Sequence, residues 1–142
     1  MEYRVAVEIN AAPDRVWAVL EDVARWPAWS PTMDSVELLT DGPFGRGSKA
    51  EVRQPKLAKA VWTVTAFEPG RRFEWSTSSV GVTTRADHVI VPTAAGCQVT
   101  LEIAQTGALA GLIGLAFGSL TRRYVDLEGA SLKKHCESSG AS

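Results

Sequence analysis

The chain has 142 residues and carries 15 Lys and Arg against 16 Asp and Glu, a net charge of −1. Hydrophobic residues make up 45% and charged residues 22%. That is the balance of one ordinary globular domain and excludes a disordered chain. The absence of a basic surplus argues against nucleic acid, or a membrane surface read by charge, as the main partner.

Met1 leads straight into the alternating Glu2-Tyr3-Arg4-Val5, without the basic start and apolar run of a targeting signal. The longest low-charge stretch, Thr106 to Thr121, contains four glycines and falls short of the roughly 20 apolar residues of a spanning helix. No integral membrane segment and a cytoplasmic location are therefore expected. Cys97 and Cys136 make no disulfide framework and read as free thiols.

Strand alternation runs from Glu2 to Asn10, with Tyr3, Val5, Val7 and Ile9 on one face. Pro13 and Asp14 suit the first turn of a helix on which Val16, Trp17 and Leu20 recur. A second short helix is expected around Asp22 to Trp26, stopped by Pro27. Six strands follow. Val36 and Leu38 mark the first of them, Ala50 and Val52 the next, then Trp62 and Val64, then Phe73 and Trp75. The last two run from about Val82 to Val91 and from Cys97 to Ile103. Glu68-Pro69-Gly70 is a tight turn between two of them. After Gly107 the period becomes helical to about Glu137, with Ile113, Phe117, Leu120, Tyr124, Leu127 and Ser131 as its stripe. Gly111 and Gly118 fall off that stripe, which suggests a soft, gate-like helix start or a contact with another surface, such as a homodimer through Leu112 and Leu115. Residues 138–142 form a polar tail after a single domain over 1–137.

One amphipathic helix cannot cover a flat seven-stranded sheet. The sheet must curl around it, with the short helices plugging one end and a concavity left between. The expected class is thus α+β, a helix-grip fold: a seven-stranded curved antiparallel sheet around a long C-terminal helix, with two short helices after strand 1.

The segment INAAPDRVWAVLEDVARWPAWSP (9–31) resembles the opening of the polyketide cyclase/dehydrase and lipid-transport branch of the START-like superfamily. VTAFEPGRRFEW (64–75) and DHVIVPTAAGCQVTLEI (87–103) are similar to its central and last hairpins. The resemblance covers nearly the whole chain. It implies the helix-grip fold, and a scaffold used by carriers, cyclases, aromatases and chaperone cofactors alike.

Few residues carry chemistry. GPFGRGSK (42–49) lacks the order of a phosphate loop and joins two strands, so it reads as a hairpin turn. Asp87 and His88 are adjacent on a strand and point to opposite faces, so they cannot act together in one cavity. His88 shares the inward parity of Ile90. It is either a hydrogen-bonded core histidine or a polar group in the pocket. Trp62 and Trp75 have inward parity on neighbouring strands and form either plain core or an aromatic cavity wall. Trp17, Trp26 and Trp29 read as anchors of the short helices. No metal constellation and no cofactor motif stands out; the adjacent His135 and Cys136 have poor chelate geometry.

These observations lead to binding or transport of a hydrophobic small molecule, such as a lipid, polyketide or aromatic metabolite. The expected lining is Trp62, Trp75, His88, Phe117 and Tyr124, with His88 and the Tyr124 hydroxyl orienting the ligand. Two alternatives remain. A cyclase or aromatase would need a polar pair converging on the cavity. A protein-interaction module would have a filled core and an apolar patch outside.

Overall fold

The computed structural model describes residues 1–138. Its elements are β1 (Glu2–Ile9), α1 (Pro13–Glu21), a 3-10 helix (Val23–Ala28), β2 (Ser35–Leu38), β3 (Lys49–Arg53), β4 (Ala60–Glu68), β5 (Arg72–Ser79), β6 (Val82–Pro92), β7 (Cys97–Thr106) and α2 (Ala110–Ser138). The seven strands form one antiparallel sheet in the order β1-β7-β6-β5-β4-β3-β2. This is the expected α+β architecture of a curved sheet gripping a long C-terminal helix. The polar tail expected over 138–142 lies outside the described residues except for Ser138, which is the last residue of α2.

The inward positions are those the alternation selects. Val64, Phe73, Trp75, His88, Ile90, Val99 and Leu101 are all at most 3% exposed. A register shift between Val64 and Ala66 breaks the β4–β5 ladder. Such a bulge bends its strand and sharpens the local twist, which helps the sheet wrap. At the closed end α1 and the 3-10 helix bury Val16, Leu20, Val23 and Trp26 completely. There the Trp26 indole donates to the Leu20 carbonyl at 3.1 Å. Pro27 does not stop this helix as expected but lies inside it. A proline's fixed φ suits a 3-10 turn, and in so short a helix its missing N–H forfeits one bond at most.

The phase of α2 differs from the expected stripe. Its buried residues are Ala110, Gly118, Val125, Gly129, Leu132 and Cys136, whereas Phe117 is 41% exposed. The C-terminal half of the helix closes on β1 and β7 through small residues. A Cβ on Gly129 would stand 2.9 Å from Val7 Cγ2 and 3.6 Å from Val5 Cγ2 and Leu101 Cδ1, so glycine lets the helix reach the sheet. Gly118 does not face away from the body of the protein either: it is buried, with Met1 and Arg122 within 4 Å of its Cβ direction. Of the α2 glycines, Gly111 alone has open space beside it. The helix end is tied down as well. Glu137 accepts from the Asn10 amide at 2.8 Å, and Lys133 bridges Glu137 and the Glu8 carbonyl at 2.7 Å each.

Candidate functional site

The curl of the sheet and the shallow seating of the N-terminal half of α2 leave a cavity of about 350 Å³ between them. That is within the range for small-molecule sites. The strands contribute Trp62, Trp75 and His88, the 3-10 helix Trp26, and α2 contributes Ile113, Phe117, Tyr124 and Glu128. Ile113, Phe117 and Tyr124 of the expected helix stripe thus face this space instead of packing into the core, whereas Leu120 does not line it.

The five expected site residues all line the cavity, but in unequal roles. Trp62 and Trp75 are 9% and 3% exposed and pack against each other with ring centroids 5.6 Å apart. Trp26, expected as a plain anchor, joins them at 5.3 Å from Trp75 and makes the wall a continuous row of three indoles. Phe117 is partly exposed and marks the solvent side of the cavity together with Lys56 and Ala58 of the β3–β4 loop. The Tyr124 hydroxyl, expected to orient a ligand, is engaged with the protein itself. It donates to the Pro55 carbonyl and so ties α2 to the β3–β4 loop across the opening. That loop carries the one non-glycine residue with positive φ among the described residues, Lys56 at 66°.

His88 is 3% exposed, stacked on Phe73 with centroids 4.3 Å apart. Its Nδ1 lies 3.1 Å from the Phe73 carbonyl oxygen. A carbonyl can only accept, so Nδ1 carries the proton and Nε2 presents a lone pair. Burial lowers its pKa to about 4, against the opposing pull of the Phe73 bond and of Asp87. Asp87 itself points away, as strand parity requires, and holds Arg72 at 3.0 Å.

Sequence reasoning missed Glu128. Its Oε1 lies 3.9 Å from His88 Nε2, too far for a hydrogen bond, and is buried without a partner. Burial raises its pKa to about 7. The signal was available: Phe117, Tyr124 and Glu128 recur at steps of seven and four, so a cavity-facing Tyr124 carries Glu128 to the same face. Among the described residues no group of three or more His, Cys, Asp or Glu is arranged to hold a metal ion. No described helix is long and apolar enough to cross a membrane.

The family model for polyketide cyclase/dehydrase and lipid transport matches residues 1–137. The chain belongs to this family. Among curated proteins a sequence comparison finds no match. Solved structures share the fold at low identity. A protein of Thermus thermophilus aligns with a TM-score of 0.77 and 16% identity, over 97% of this chain and 98% of that one. The Zhui aromatase/cyclase of a Streptomyces species gives 0.74 and 19%, over 96% and 92%. A START superfamily protein of Mycobacterium smegmatis gives 0.72 and 15%, over 96% and 97%. At these identities the likeness is one of fold, and the family is fixed by the match to its model.

Proposed function

We propose that the protein binds a hydrophobic small molecule, a lipid, polyketide or aromatic metabolite, in its internal cavity, and carries or presents it. The observation that supports this most is the cavity of about 350 Å³ walled by Trp26, Trp62 and Trp75. Three rigid indoles offer a large apolar surface at low entropic cost. A filled core, which a pure interaction module would need, is not what these walls enclose. The test is titration with an apolar fluorescent probe. Binding saturates at one site, and Trp62→Ala or Trp75→Ala weakens it. Unchanged affinity in both variants removes the cavity as the site.

A second reading, a cyclase- or aromatase-type enzyme on a polyketide-like substrate, is favoured by one observation. His88 and Glu128, a base and an acid whose pKa values burial drives to about 4 and about 7, converge on the same cavity. An acid poised near neutral pH is suited to proton transfer. Incubation with poly-β-ketone model substrates separates the readings: an enzyme gives cyclised product that Glu128→Gln abolishes, and a carrier returns the compound unchanged.

A further inference from the structure

Resting on the reading of the cavity as a binding site, we infer that its ligand carries a hydrogen-bond donor, an amine, amide NH₂ or hydroxyl, held between Glu128 and His88. The argument is one of unmatched acceptors. The bond from Nδ1 to the Phe73 carbonyl leaves His88 Nε2 as an acceptor. Glu128 Oε1, 3.9 Å away, is an acceptor with no hydrogen-bond partner. With Glu128 ionised, its buried Oε1 and the His88 Nε2 lone pair face each other with no hydrogen bond between them, and a buried acceptor left unpaired is costly.

No cation of the described residues fills the gap. Among the described residues, no Lys or Arg forms an ion pair with Glu128. Of the other charged groups around the cavity, Asp87 is turned to Arg72, Glu102 to Arg4, and Lys56 is an exposed residue of the rim. A nitrogen within hydrogen-bond reach of both acceptors would see them at roughly a right angle, near the spread of two N–H bonds on one nitrogen. A hydroxyl satisfies one acceptor and takes the proton of a protonated Glu128 in return. A ketone or ester head adds a third acceptor and is disfavoured. The apolar body of such a ligand lies along the indoles while its head meets the pair, so the polar groups select among molecules of similar shape.

The experiment uses matched naphthalene compounds, titrated at pH 8 with tryptophan emission as the readout. Naphthylmethylamine and naphthylmethanol should bind the unaltered protein about tenfold more tightly than acetylnaphthalene, the difference expected when one buried acceptor is left unpaired. Glu128→Gln places an amide N–H where an oxygen stood and should bring the carbonyl compound level with the alcohol or ahead of it. Glu128→Leu should bind all three alike. Equal affinities for the three heads in the unaltered protein, or a preference that Glu128→Gln leaves unchanged, overturn the donor site while leaving the cavity reading intact. Binding of none of the compounds overturns the cavity reading and the donor site with it.

Discussion

Replacing Glu128 with glutamine removes a carboxyl group whose ionisation the fold opposes, and the consequence depends on pH in a calculable way. The ordinary pKa of 4.5 rises to about 7 in the folded protein. Below pH 4.5 the group is protonated in both states and contributes nothing. Between pH 4.5 and about 7 the unfolded chain gives up its proton while the native state keeps it, so stability falls as pH rises. Above pH 7 the full cost is present, about 3 kcal/mol at 1.36 kcal/mol per pH unit. His88 acts in the opposite sense. Its pKa drops from 6.5 to about 4, so stability is intact above pH 6.5 and is lost as pH falls toward 4, by a similar amount. In the unaltered protein the two slopes largely cancel between pH 4.5 and 6.5. Glu128→Gln uncovers the histidine slope, and His88→Phe uncovers the glutamate slope. Urea unfolding followed by tryptophan emission at pH 4.5, 6 and 8 measures this directly. The stability difference between Glu128→Gln and the unaltered protein should grow by about 3 kcal/mol from pH 4.5 to 8, equivalent to about 10 °C in melting temperature for a chain of this size. Any constant packing cost of the substitution cancels from that difference. A gap that stays flat across the range would mean that Glu128 is solvated and ionises normally, and the argument from burial would fail.

Other substitutions test the remaining parts. Tyr124→Phe removes the tie to Pro55 and should cost about 1 kcal/mol in stability while speeding probe entry and exit together in stopped flow; unchanged rates would show that the β3–β4 loop does not control access. Gly129→Ala drives a methyl group to 2.9 Å from the stiff Val7 side chain and should destabilise by about 1–3 kcal/mol. Gly111→Ala, in open space, should raise stability by up to about 1 kcal/mol, and thermal melts of the pair check both signs. Leu112 and Leu115 are 63% and 88% exposed. If they join two copies, sedimentation of Leu112→Ser with Leu115→Ser should show a shift toward monomer; an unaltered sedimentation profile removes the dimer contact.

The strands were legible because alternation has a short period and few competitors. Trp62, Trp75 and His88 could be assigned inward from parity alone, and the structure buries all three. The phase of α2 was not legible, because bulk was a poor guide to burial there. The helix approaches the sheet through Gly129, which carries no hydrophobic signal, while Phe117 and Ile113 face a space that only the curled sheet creates. The same geometry concealed Glu128. A lone glutamate on a long helix reads as solvated, and its Oε1 becomes buried only when Trp75, His88 and Leu101 close around the cavity. The role of the Tyr124 hydroxyl depended on the path of residues 54–59, including a left-handed Lys56 that nothing in the composition of that loop requires.

The five indole N–H groups make the most direct test of a ligand-binding cavity, since three of the rings line it and two, Trp17 and Trp29, do not. In a ¹H–¹⁵N correlation spectrum titrated with naphthylmethanol, the Trp26, Trp62 and Trp75 indole signals should shift along one saturating curve, with Trp17 and Trp29 left nearly still. Shifts confined to backbone amides around the exposed Leu112 and Leu115, with all five indoles unmoved, would contradict an internal site.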